Sequence, residues 1–310
     1  MNNHRWQCID AGSDYCPCYL AETMDCITCS HLKGKEFCDC DWRGVCIYQS
    51  FTFEGNRKKD PRVDFHAEIV ERKELGDKII VFTLRVPHSF ARQVNQPGSY
   101  IFIRNKDFGQ YFDIPISVMY VDGQKDLIKI AVEIHGVKTK TIKNVEDSMS
   151  IRGPYWNGVF GLEHLKQAQN ANCLIVTRGI AQAPAILVTN YLLRNNNAID
   201  VLIDQGSTDY NFIEEFCKVK NLGKCDLYEP EGIELLQEIM DKKSYDLIFI
   251  GASDYLQKRL YDSVEELKKK KVVTTNNNEI CCGEGICGSC TIYDMNGIPI
   301  RTCKTQFIKG

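Results

Sequence analysis

Cys173-Leu174-Ile175-Val176 is a short apolar run of buried-strand type. It leads through Thr177-Arg178-Gly179-Ile180-Ala181-Gln182-Ala183-Pro184 into a helical stretch over 183–194. A strand that passes straight into a helix starts a crossover unit, and the same rhythm continues downstream. Ala198-Ile199-Asp200-Val201-Leu202-Ile203 reads as the next strand and 212–219 as the next helix. Residues 235–242 are then helical, Tyr245-Asp246-Leu247-Ile248-Phe249-Ile250 is a strand, and 256–271 is a helix with a charged outer face. Alternating strands and helices predict a parallel sheet covered by its crossovers.

Upstream the pattern is different. Ile79-Ile80-Val81-Phe82-Thr83-Leu84-Arg85-Val86, Ser99-Tyr100-Ile101-Phe102-Ile103 and Leu127-Ile128-Lys129-Ile130-Ala131-Val132 are β-branched and aromatic. Short strands with turns between them predict a small antiparallel barrel. The polar run Gly55-Asn56-Arg57-Lys58-Lys59-Asp60-Pro61 reads as a linker before it. Four regions follow: a Cys-rich segment over 1–55, a barrel over 62–165, an α/β domain over 170–272 and a small C-terminal domain over 275–310. The fold class expected is multidomain α+β.

The net charge of −3 over 310 residues excludes a general polyanion binder. No run approaches the ~20 apolar residues of a membrane span, and the start of the chain lacks an apolar signal region. A cytoplasmic location is therefore expected. Sixteen cysteines are present, and thirteen of them fall in two islands near the ends of the chain. In a reducing compartment clustered thiols point to metal.

In the C-terminal island Cys282-x4-Cys287-x2-Cys290 is followed by Cys303 after twelve residues, the plant-type [2Fe–2S] spacing. Gly283, Gly285 and Gly288 let the loop curl and aim amides at sulfur. Zinc knuckles usually pair two C-x2-C units, so the spacing weighs against zinc. Cys281 is out of register and is read as a non-ligand.

The order of barrel, α/β domain and C-terminal cluster resembles the electron-transfer subunit of dihydroorotate dehydrogenase, within the ferredoxin–NADP reductase superfamily, over roughly residues 62–310. The resemblance implies FAD on the barrel. The family's Arg-Pro-x-Ser aligns with Ile114-Pro115-Ile116-Ser117, so the arginine is absent and nearby Lys138 is a candidate substitute. The family's Gly-x-Gly-Thr turn aligns with Gly136-Val137-Lys138-Thr139, followed by an expected helix over 140–145. Ala131-Val132-Glu133 would run along the flavin, and Gly153-Pro154-Tyr155-Trp156-Asn157-Gly158 would close the barrel. The glycine-rich nicotinamide loop is eroded to 177–184, and the later Cys-Gly-Pro has become Gly251-Ala252-Ser253. NAD(P)H use is left open, and Arg178 would either bind phosphate or block the groove.

Cys8, Cys16, Cys18, Cys26, Cys29, Cys38, Cys40 and Cys46 form the N-terminal island, which lies outside that resemblance. They would make two four-thiolate sites or one with spares, holding a further iron–sulfur cluster or zinc, with His4 and His31 as optional ligands. Spacing does not group them. The function expected is an electron-transfer subunit that passes electrons between FAD and iron–sulfur clusters to a partner subunit holding the substrate site. No catalytic side chain, nucleic acid or membrane insertion is expected. The alternatives are a self-sufficient NAD(P)H-dependent FAD/[2Fe–2S] reductase and a non-catalytic assembly subunit that keeps its metal sites.

Overall fold

The computed structural model describes residues 6–208 and 210–307. Two units result: Asp64–Asn277 forms one, and the chain up to Val63 combines with Asn278–Phe307 in the other. The two cysteine islands therefore fold together as one unit, and the barrel and α/β regions as another. His4 lies outside the described residues.

The barrel is built from β1 (Asp64–Leu75), β2 (Ile79–Arg85), β3 (Tyr100–Arg104), β4 (Ile114–Asp122), β5 (Leu127–Glu133) and β6 (Ser148–Tyr155), closed in the order β1-β2-β5-β4-β3-β6. All neighbouring strands are antiparallel. Alternation decides which side chains enter: Ile80, Phe82 and Leu84 from β2 meet Ile128, Ile130 and Val132 from β5 inside. Each such side chain contributes about 1.5–3 kcal/mol by leaving water. The barrel is closed by β6, whose last three residues, Gly153, Pro154 and Tyr155, belong to the segment expected to close it. Gly158 donates its amide to the Gly98 carbonyl at 2.8 Å. A Cβ on Gly158 would stand 2.7 Å from that oxygen, so only glycine fits.

The sheet adds β7 (Val159–Phe160), β8 (Asn172–Arg178), β9 (Ala198–Asp204), β10 (Lys220–Lys224), β11 (Leu247–Gly251) and β12 (Lys271–Thr275), in the order β10-β9-β8-β11-β12-β7. The five long strands are parallel and β7 is an antiparallel edge. Strand order reverses between β8 and β11, which creates the crevice where open α/β sheets bind ligands. Helices Gln182–Arg194, Pro230–Lys242 and Asp254–Ser263 cover the sheet.

Three helix readings are corrected. The expected helix over 256–271 ends at Ser263, and β12 takes Val272, Val273, Thr274 and Thr275, whose β-branched side chains suit a strand. The helix expected over 212–219 stops at Phe216. The one expected over 140–145 is instead Val137–Lys140, started by Thr139 reaching back to the amides of Gly136 and His135.

In the smaller unit Gln7–Cys8 pairs with Thr305–Gln306, and Thr291–Tyr293 forms a hairpin with Pro299–Arg301 around the Asn296-Gly297 turn signal. Among the described residues its N-terminal core cluster is small: Ala21, Cys26, Cys29, Leu32, Ile47 and Phe51, with Ala11, Cys16 and Trp42 packed against it. No helix is long and apolar enough to cross a membrane among the described residues.

Candidate functional site

The C-terminal loop carries Gly283, Gly285 and Gly288 at φ +73°, +75° and +75°. At these angles an L side chain is strained, and the loop folds its amides inward. The Glu284 amide donates to Cys282 Sγ at 3.3 Å, joined by the amides of Ile286 and Cys287. The Cys303 amide donates to Cys290 Sγ at 3.4 Å, and the Thr302 hydroxyl donates to the Cys290 carbonyl at 2.9 Å. Cys290 and Cys303 are buried, Cys282 is half-buried and Cys287 is exposed.

The four sulfurs converge. Cys303 hydrogen-bonds both Cys282 and Cys290, and Cys287 hydrogen-bonds Cys282. The bond from Cys303 holds Cys282 down at about 4 and Cys290 at about 6, against burial, while Cys303 itself is pushed up. Amides aimed at the Cys282 and Cys290 sulfurs suit a small anionic iron–sulfide core. Among the described residues no three His, Cys, Asp or Glu side chains close on a single metal ion. A [2Fe–2S] core asks for no such trio, because each of its irons takes two protein thiolates. Cys281 is exposed.

Behind this loop lies a buried charge quartet that spacing gave no signal for. Lys304, next to Cys303, is fully buried and binds Asp10 and, at 2.8 Å, Glu284. Arg62 reaches Asp10 at 3.0 Å and Glu284 at 3.3 Å, and stacks on the Tyr15 ring at 3.9 Å. Burial raises the Asp10 carboxyl, but Lys304 and Arg62 more than offset it and hold it below the ordinary carboxylate range. Two cations against two anions leave the cluster neutral, as burial requires.

The N-terminal cysteines are all free thiols. Cys26 and Cys29 are buried, Cys38 and Cys46 exposed, and Cys38 Sγ lies 3.7 Å from Cys40 Sγ. His31 is engaged locally, with Nδ1 3.2 Å from the Lys35 carbonyl and its ring 4.8 Å from Tyr48.

On the barrel, Ile114 is turned inward and packs in the core, whereas Pro115 is exposed and Ile116 and Ser117 are half-buried on β4. Ala131 and Val132 are buried on β5, and Glu133 at its end lines a cavity of about 170 Å³ with Lys78, Ser207 and Thr208. Lys138 Nζ donates to the Asp113 carbonyl at 2.9 Å, one residue before Ile114. Its ammonium therefore stands beside the start of β4 and keeps two further donors. Arg104 and Arg152 both grip the Asp113 carboxylate at 2.8 Å, and Arg152 lies over the Phe102 ring at 4.4 Å. This cationic grouping beside β4 was not visible in the sequence. Ser117 and Lys138 lie outside the lining of the Glu133 cavity, so the residues expected to hold a flavin are not gathered in one pocket there.

At the sheet's crevice Arg178 is tied down. Its Nε lies 2.8 Å from Asp204, and its guanidinium stacks on Tyr228 at 4.3 Å. A Cβ on Gly251 would stand 3.0 Å from the Ala181 carbonyl, so the two crevice loops touch. Gln182 is fully buried, donating to the Tyr210 carbonyl and accepting from the Phe212 amide at 2.9 Å each.

No protein-family signature matches the chain, and no curated protein does. Solved structures do. An NADH-dependent reduced ferredoxin–NADP oxidoreductase, studied for flavin-based electron bifurcation, aligns with TM-score 0.59 and 17% identity over 76% of this chain and 85% of that one. Phthalate dioxygenase reductase, a modular structure for electron transfer from pyridine nucleotides to [2Fe–2S], aligns with TM-score 0.52 and 14% identity over 78% and 95%. The ferredoxin reductase of carbazole 1,9a-dioxygenase aligns with TM-score 0.50 and 13% identity over 70% of each chain. The barrel and α/β sheet thus have the ferredoxin reductase fold.

Proposed function

We propose that this chain is an oxidoreductase, the electron-transfer subunit of a larger complex, related in role to the dihydroorotate dehydrogenase subunit. FAD is held by Ile114–Ser117, Ala131–Glu133, Gly136, Lys138 and Thr139, and a [2Fe–2S] cluster by Cys282, Cys287, Cys290 and Cys303. The observation that carries this reading is the convergence of those four sulfurs in a loop of inward amides. When bound, FAD links two-electron to one-electron chemistry and the cluster handles single electrons. The chain's own residues position and tune. Amides of Glu284, Ile286 and Cys287 stabilise negative charge on the Cys282 sulfur. Burial of Cys290 and Cys303 keeps water from that side.

In this reading a partner subunit takes or supplies the electrons, which the likeness to the ferredoxin reductase of carbazole 1,9a-dioxygenase and to phthalate dioxygenase reductase supports. Arg178, at the end of β8, is paired to Asp204 at the end of the neighbouring β9, so its charge is already engaged, which weighs against the self-sufficient NAD(P)H reductase. Anaerobic purification with assays for iron, zinc, acid-labile sulfide and flavin, then a spectrum before and after NADH, tests the reading. FAD plus a [2Fe–2S] spectrum that NADH leaves unbleached supports it. Rapid bleaching makes the chain a self-sufficient reductase, and absence of flavin after gentle isolation makes it an assembly subunit.

A further inference from the structure

We propose that Lys304 and Glu284 are positioning residues of the C-terminal [2Fe–2S] site. They latch the segment that carries Cys303 to the loop that carries Cys282, Cys287 and Cys290. Asp10 and Arg62, from the N-terminal segment, complete the latch and balance its charge. The N-terminal segment thereby becomes part of the cluster site. This role rests on the [2Fe–2S] reading and deepens it.

Three of the four thiols come from one loop and the fourth from a separate piece of chain, so something has to fix the two together. Lys304 directly follows Cys303, and its ammonium donates to the Glu284 carboxylate at 2.8 Å. Glu284 lies two residues after Cys282, and its amide donates to the Cys282 sulfur at 3.3 Å. One residue thus holds a sulfur through its backbone and the opposite segment through its side chain. The lysine stem runs close under the loop: a Cβ on Gly285 would stand 3.2 Å from Lys304 Cγ and 3.1 Å from Leu20 Cδ1. From the N-terminal side Asp10 accepts from Lys304 and, at 3.0 Å each, from both terminal nitrogens of Arg62. Arg62 also reaches both Glu284 oxygens at 3.3 Å. The Ile9 amide donates to the Lys304 carbonyl at 2.7 Å, which seats Asp10 beside the latch.

Stability alone does not account for the quartet. Taking charges out of water is costly, and apolar side chains of similar volume often fill such a place as well or better. Directed ion pairs fix register, which apolar contacts leave free to slide, and register is what two ligand-bearing segments need. The second consequence is electrostatic. Net charge and hydrogen bonds around an iron–sulfur cluster set its reduction potential, because reduction adds one negative charge. Among the described residues the quartet sets two cations against two anions. Removing one member leaves a buried unit charge beside both ligand-bearing segments, where salt screens it little. Loss of a cation lowers the potential and loss of an anion raises it.

The test is a potentiometric titration of the full chain, purified without oxygen and reduced with dithionite, read by the EPR signal of the reduced two-iron cluster. Parent, Lys304→Met, Asp10→Asn and the double variant are compared. Lys304→Met leaves the quartet one charge negative and should lower the midpoint. Asp10→Asn leaves it one charge positive and should raise it. The double variant is balanced again, and its midpoint should return towards the parent's. Lys304→Met should also lose its two-iron signal to a chelator several-fold faster than the parent. Midpoints that do not move, or that move the same way in both single variants, overturn the proposal, as does a Lys304→Met protein that holds its iron as long as the parent. If Lys304→Met takes up no iron, the sign of the Asp10→Asn shift decides alone. A parent without a two-iron signal sinks the [2Fe–2S] reading itself, whereas failure of the latch leaves that signal present and its midpoint unmoved.

Discussion

At residue 114 the motif and the structure part. The resemblance puts an arginine there, yet the isoleucine that replaces it points into the barrel core beside Val118 and Ile130. Ile114→Arg should therefore bury a guanidinium among apolar side chains and cost several kcal/mol, read as a lower urea midpoint. Tighter FAD binding with unchanged stability would refute the inward placement. Gly251 is constrained by space, because a Cβ there would meet the Ala181 carbonyl and Phe249 Cε1 at 3.0 Å and Thr177 Oγ1 at 3.1 Å. Gly251→Ala should lower stability by about 1–3 kcal/mol in thermal unfolding; an unchanged Tm would mean that the crevice loops yield freely. The C-terminal four-cysteine pattern was legible because its spacing is local. The buried Lys304–Asp10 pair was not, because its partners stand 294 residues apart and neither carries a mark of burial in sequence.

Elements were read well where one signal dominated. β2, β5 and β8 were foreseen to within two residues at either end because β-branched and apolar residues fill them. β10, Lys220-Asn221-Leu222-Gly223-Lys224, escaped notice because an exposed edge strand needs no apolar face. β12 was missed: the helix expected over 256–271 reaches its first residue, because Leu256, Leu260 and Leu267 continue a helical spacing, and residues 272–275 stand unassigned. How β9 is fastened gives a pH prediction. Asp200 on β9 accepts from Lys243 at 2.7 Å and Tyr245 at 2.8 Å, both just after helix Pro230–Lys242. Burial raises its carboxyl, but those two bonds more than reverse this, so its folded pKa lies below the ordinary value. A depressed carboxyl adds stability that is complete above its unfolded pKa of about 3.9 and is lost as pH falls towards the folded value. Asp200→Asn should destabilise the protein at pH 7 and flatten the decline of Tm below about pH 4. An unaltered acid limb would show that the fastening contributes nothing.

Across the whole chain the two units differ in what holds them. The Asp64–Asn277 unit has twenty buried residues in its barrel core and fourteen more against the sheet, enough to stand on apolar burial. The N-terminal core of the other unit has six, two of them cysteines, and folds without a sizeable apolar interior must be held by cross-links or metal. Its described cysteines are free thiols, and in the proposed reading bound metal supplies that hold. Stripping iron and zinc should then expose the smaller unit to trypsin, at Lys33, Lys35 and Arg43 among other sites, while a fragment spanning 64–277 survives. Restoring iron and sulfide should restore resistance, because metal-binding free energy is folding free energy in such a segment. If Lys33, Lys35 and Arg43 stay uncut after metal loss has been verified, the six-residue core suffices and the thiols serve redox chemistry alone. If the 64–277 fragment is digested in parallel, the barrel itself depends on a bound group, and flavin release measured in the same samples identifies it.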